Sequence, residues 1–167
     1  EWSQRTGLVT FTLEPHRLRS ILAKLTAVIG LALATIVVAL AVGAAAYAVY
    51  AAMADTSSWK LDGSVAAWTL VSQILFFLMA FGFALVFLNT PAAIAVYYVI
   101  ALLLPIMVYG PVVALVSWGP DVVPWIDLNT AIAPFGSAGT EIVGEDYAHV
   151  VVTSAIWVLA PIVAGLI

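Results

Sequence analysis

The chain has no cysteine, so it holds no disulfide framework and no thiolate metal site. Charge is almost as scarce. Only 8% of its 167 residues are Asp, Glu, Lys or Arg, and five of these are basic. A net charge of −4 gives no basic surface on which nucleic acid could bind. No Gly-rich phosphate loop with its lysine, no nucleophile elbow and no helix pairing two histidines with a glutamate occurs. His16 and His149 are far apart, and no His, Cys, Asp or Glu cluster has metal-ligand spacing. The long runs are therefore almost free of ionisable groups, which makes catalysis within them improbable.

What the chain does have is apolar length. Hydrophobic residues make up 65% of it, and the mean hydropathy is +1.16. Both lie far outside the range of soluble domains, which places the chain in a bilayer. Runs broken at Pro, Gly and charge predict an all-α, polytopic membrane helix bundle with spans at about 21–54, 63–88, 92–117 and 148–167. The first run is longer than a bilayer needs, so it tilts or projects beyond the membrane. The fourth run stops without an interfacial anchor, and Glu1-Trp2 lacks the marks of a start, so the chain reads as a fragment of a longer protein.

Four of the five basic residues, Arg5, Arg17, Arg19 and Lys24, precede or enter the first span, and Lys60 is the fifth. By the positive-inside rule the N-terminal stretch is cytoplasmic, Asn89-Thr90-Pro91 forms an inner turn, and residues 118–147 lie outside. That outer segment carries Asp121, Asp127, Glu141, Glu145 and Asp146 with no Lys or Arg. Pro124 and Trp125 followed by IDLNTAIA predict a short helix that dips into the outer leaflet or lies on it. Glu141, Glu145 and Asp146 read as a solvated surface in preference to a cation site.

Gly30 with Ala34, and Gly43 with Ala51, put small faces at helical spacing, which suit close helix packing better than ligand binding. Pro105, Gly110 and Pro111 predict a kink or break in the third span, either an ordinary bend or the lining of a substrate path. Gln73 is the most polar side chain well inside a span, and it reads as interhelical glue. The opening 20 residues alternate apolar and hydroxyl side chains at Val9–Leu13, bend at Gly7 and Pro15, and end in basic residues. They suit docking on another protein, or else simple anchoring of the first span.

The opening residues carry a family resemblance. Glu1-Trp2-Ser3-Gln4-Arg5-Thr6, then Thr10-Phe11-Thr12-Leu13, Pro15 with a basic pair, and Ile21-Leu22-Ala23-Lys24-Leu25 entering a long span resemble the cytoplasmic loop of bacterial ABC-2 type ABC transporter permeases. Phe87-Leu88-Asn89-Thr90-Pro91-Ala92-Ala93-Ile94 resembles the family's inner turn, although Phe87 and Leu88 stand where a basic residue is common. The outer segment resembles the short re-entrant helices before the last span. The resemblance implies that two of six membrane helices and the C-terminal tail are missing. It further implies a coupling loop at 1–20 and a transmembrane domain at 21–167, in a cell membrane. The partners would be a cytoplasmic ATPase subunit, a second copy or a homologous permease, and the lipid bilayer. ATP and Mg would belong to the ATPase, leaving this chain without a cofactor. Arg5, Thr6, Phe11 and Arg17 are the docking candidates. A membrane scaffold or assembly subunit, and a secondary transporter, remain as alternatives.

Overall fold

The computed structural model describes residues 17–54, 62–137 and 139–166, all built from helices and their connections. Residues 1–16 of the coupling loop expected at 1–20, with Arg5, Thr6 and Phe11, lie outside the described residues, as do Asp55 to Leu61, while residues 17–20 form the first turn of α1. Four helices are long and apolar enough to cross a membrane: α1 (Arg17–Ala54), α2 (Gly63–Phe87), α3 (Thr90–Leu115) and α6 (Gly144–Leu166). Between α3 and α6 lie two short helices, α4 (Gly119–Val122) and α5 (Leu128–Ile132), each running on into a 3-10 turn. The protein is an all-α, polytopic helix bundle.

Local chemistry sets the helix ends. Asp62 caps α2, its Oδ1 accepting from the Ser64 N–H at 2.9 Å, the Ser64 hydroxyl at 2.6 Å and the Val65 N–H at 3.3 Å. The α2–α3 turn is made by Leu88, whose φ of 48° is left-handed, followed by extended Asn89 and by Pro91 in the first turn of α3. Proline fits there because those first N–H groups have no helical partner. Asp146 accepts the Val143 N–H at 2.9 Å at the start of α6.

The prolines inside the spans do not break them. Helical dihedrals persist through Leu104 and Gly110, and α3 runs on past Pro105, Gly110 and Pro111, so of the expected kink or break the structure shows no break. The physical reason is a local widening of the helix. Three π segments, Val99–Leu103, Pro105–Tyr109 and Ala155–Leu159, each end two residues before a proline: Pro105, Pro111 and Pro161 respectively. A proline ring has no N–H and collides with the carbonyl four residues back. Bonds to the fifth residue back move that carbonyl aside, as at Leu104 to Val99, Gly110 to Pro105 and Ala160 to Ala155.

Lipid supplies no hydrophobic drive between helices, so close backbone approach matters. Among the four long helices the tightest approach at a glycine joins α2 to α6. A Cβ placed on Gly82 would meet the Pro161 Cβ at 3.0 Å, and one on Gly165 would meet the Leu85 Cβ at 2.5 Å. The core gathers Met79 and Phe83 of α2, Val150 and Val158 of α6, and Leu128, Ala131, Ile132 and Phe135 from the segment between α3 and α6. Helix α1 contributes buried Ala32 and Ile36, while most of its other residues are exposed.

Candidate functional site

Residues 119–136 enter and leave at one end of the bundle, the end marked by Asp62, and reach deep between the spans. Gly119 begins this hairpin against α3, so close to the Val112 carbonyl that no side chain fits. Pro120 starts α4, and Asp127 caps α5, its Oδ2 accepting from the Thr130 N–H at 2.9 Å and the Thr130 hydroxyl at 2.6 Å. Phe135, on the returning arm, stacks on Trp68 with ring centroids 3.9 Å apart, and Tyr147 meets Phe135 edge-on at 5.1 Å. Trp68 is five residues from the start of α2, so this aromatic group sits close to the Asp62 end.

The tip lies much deeper. Ile126 to Asn129 share a crevice with Met79, Ala101 and Trp157. Met79 is sixteen residues past Gly63, Ala101 fourteen before Leu115 and Trp157 thirteen past Gly144, which is about 20–24 Å of helix in each case. The tip therefore reaches well down the bundle from its Asp62 end.

Two side-chain hydrogen bonds hold the tip. Asn129 Nδ2 donates to the Ala101 carbonyl at 3.1 Å, and Trp157 Nε1 donates to the Ile126 carbonyl at 2.6 Å. The first has a cause in the sequence. In an α-helix the N–H of residue 105 would serve the Ala101 carbonyl, and Pro105 has none. Asn129 donates to a carbonyl that has lost its α-helical donor at position 105.

Asp127 is 3% exposed at this depth. A carboxylate taken that far from water is costly unless it is hydrogen-bonded, and both of its partners belong to Thr130. Among the described residues no lysine or arginine pairs with it. Tyr109 of α3 faces the same crevice, which leaves no room for a water molecule. Nearer the Asp62 end, His149 is buried, lies edge-on to Trp125 at 4.4 Å, and has an Nε2 with no hydrogen bond, 3.8 Å from Glu145. Among the described residues no three His, Asp or Glu side chains are grouped as metal ligands.

A separate groove of about 340 Å³ runs between α2 and α3 near the Asn89 turn, lined by Ala80, Ala84, Ala93, Tyr97 and Tyr98. Gln73 lines its continuation beside Phe77 and Tyr97, exposed to the surroundings of the bundle. Among the described residues the small face foreseen on α1 is unoccupied: nothing lies within 4 Å of a Cβ on Gly30 or Gly43, Ala34 is exposed and Ala51 half-buried. Close packing falls instead on Gly82 and Gly165. Of Arg17, only the backbone at the start of α1 is described.

The features missed in the sequence are Asp127, Asn129 and Trp157 as one constellation. A signal for part of it was present, since Asp127-Leu128-Asn129-Thr130 has the spacing of a capped helix start. Nothing local marked Ala101 or Trp157 as its partners. The comparisons with known proteins return nothing: no family model matches the chain, no curated protein matches it, and no solved structure matches it.

Proposed function

We propose that the chain is the membrane part of an ABC-2 type permease subunit, coupling ATP hydrolysis in a separate cytoplasmic ATPase to export of a substrate. The observation that carries this reading is the opening motif, Glu1 to Thr6 and Thr10 to Leu13, running through basic residues into a span longer than the bilayer. Helix α1 has 38 residues, about 57 Å, against a hydrocarbon layer of roughly 30 Å. A rigid rod of that length can project from the membrane and carry Arg17, Arg19 and Lys24 to a partner. The hairpin reaching down the bundle before the last span is a further point of agreement.

Residues 1–16 then dock in a groove of the ATPase. Closure of the ATPase around nucleotide pulls on α1, and the bundle passes between inward-open and outward-open states. The N-terminal stretch is cytoplasmic and the membrane is the plasma membrane. Exposed small residues at Gly30, Ala34 and Gly43 are faces for helices of a second permease. The apolar, uncharged spans suit an amphipathic or lipid-like substrate, or a peptide antibiotic.

The test is a double charge reversal, Arg5→Glu with Arg17→Glu, in the full-length protein. Each reversed contact costs on the order of 1 kcal/mol or more at a docking surface. Membrane insertion persists, because Arg19 and Lys24 retain the basic flank, while co-purification with the ATPase and transport-stimulated turnover are lost. Full co-purification and turnover would reduce the stretch to a topogenic anchor.

One observation favours a second reading. Asp127 is a buried carboxylate at bilayer depth, the kind of group that proton- or sodium-coupled carriers use. In such a carrier, Asp127→Asn abolishes transport driven by an ion gradient and no ATPase is needed. In the permease, the same variant leaves ATPase docking intact.

A further inference from the structure

We infer that residues 119–136 form a detachable plug, latched at its tip by Asn129 and Trp157 to the proline-associated turns of α3 and α6, and that undocking opens a water path from the Asp62 end towards the middle of the bundle. The inference stands on the hairpin's own geometry and does not rest on coupling to an ATPase.

Both latch points fall on widened turns. Ala101 lies in the π segment Val99–Leu103 and Trp157 in the π segment Ala155–Leu159. Such segments are rare and are found mostly where a helix has a function to perform. Pro105 has no N–H with which to make the α-helical bond to the Ala101 carbonyl, and Asn129 donates to that carbonyl from the hairpin. The bond from Trp157 ends on Ile126, at the tip. Undocking therefore exchanges two side-chain bonds for water and leaves the ladders of α3 and α6 as they are.

The hairpin also carries its own internal structure. Asp127 caps α5 through Thr130, the Asp127 N–H donates to the Val123 carbonyl at 2.9 Å, and the Ala131 N–H donates to the Asp127 carbonyl at 3.0 Å. It can leave as a folded unit, with none of these bonds broken. Opposed tendencies act on it. Burial of Leu128, Ala131, Ile132 and Phe135 holds it in, while the Asp127 carboxylate is better solvated outside. Its two ends differ as a pivot requires. At Gly119 the chain is pressed against the Val112 carbonyl, whereas Gly136 and Gly139, the latter at a φ of 83°, meet nothing within 4 Å. The crowded Gly119 end is the pivot of the plug, and the open Gly136 end is the one that swings.

The experiment uses the protein in reconstituted membranes, with single cysteines placed in this cysteine-free sequence and any cysteine outside it replaced by serine. Ala131→Cys, at a site 1% exposed, reports on the hairpin, and Phe83→Cys, at a site 6% exposed, reports on the bundle near its other end. Both are treated with a water-soluble maleimide present on both sides of the membrane. The hairpin site should label slowly in the parent chain. It should label about tenfold faster with Asn129→Leu, the effect of losing one hydrogen bond. Pro105→Ala leaves every hairpin side chain in place but returns an N–H to Ala101, and it should accelerate labelling in the same direction. The Phe83 site should not change in either background. The same contrast should appear in amide hydrogen exchange of residues 128–132 against 79–83 in the cysteine-free chain, which covers the case of a cysteine variant that does not insert. Equal rates in all backgrounds would overturn the proposal, as would a parallel rise at both sites, which would mark general loosening of the fold.

Discussion

Gly165→Ala is the sharpest test of how α2 and α6 are held together. A Cβ at this position would stand 2.5 Å from the Leu85 Cβ and 3.1 Å from the Leu85 carbonyl carbon. Ordinary van der Waals contact begins roughly 1 Å further out, and because part of the obstruction is backbone, no rotamer change removes it. The two helices must separate locally, and contacts such as Gly82 against Pro161 and Ile162 loosen with them. Overpacking of this kind costs about 1–3 kcal/mol. For a chain of this size that lowers the midpoint of thermal unfolding by roughly 4–8 °C at the middle of the range. The matched control is Gly43→Ala, where nothing lies within 4 Å and an alanine only favours the helix. Thermal unfolding of both variants in the same detergent, followed by circular dichroism, makes the comparison. A neutral Gly165→Ala would refute the packing argument, and a destabilising Gly43→Ala would show that α1 has a close neighbour at that face.

Two other outcomes follow from the helix ends and the topology. The Ser64 hydroxyl, and then the N–H groups of Val65 and Ser64, hold the Asp62 carboxyl below its ordinary range. A lowered folded value means the ionised cap contributes stability above the ordinary carboxylate range and loses it as pH falls through the lowered value. Hydrogen exchange at Ser64 and Val65 should therefore show protection steady at neutral pH and declining in acid, and Asp62→Asn should flatten that decline; a decline starting near neutrality would count against the cap. If the N-terminal stretch is cytoplasmic, a cysteine at position 141 labels from outside the cell while cysteines at positions 12 and 90 do not, and the opposite pattern would invert the orientation.

Membrane residence and the four spans were legible because they depend on composition summed over twenty or more residues, where single substitutions average out. The turn between α2 and α3 was legible for a local reason, since Asn89-Thr90-Pro91 ends one helix and starts the next. The short helix after Trp125 was visible as well, although its dip towards the middle of the bundle was one of two readings left open. Pro105 and Pro111 were read as sites of kinking or breakage, because the sequence records a missing donor and a ring clash. It does not record that a turn can widen to absorb both.

The order and number of the membrane-spanning helices among the described residues thus come from the sequence alone, through hydrophobic length and through the punctuation at Asp62, Leu88 to Pro91 and Gly144. Tertiary structure decided which glycines matter. Gly30 and Gly43 have the spacing of a packing face but meet nothing in this chain, while Gly82 and Gly165 carry the contact with α6. Tertiary structure also decided that Asp127 is buried rather than solvated, and that Asn129 and Trp157 meet carbonyls 28 and 31 residues away. The reason is one of range: hydropathy and capping act within a few residues and can be read in order, whereas the hairpin tip is placed by three helices at once, and no single stretch of sequence contains them all.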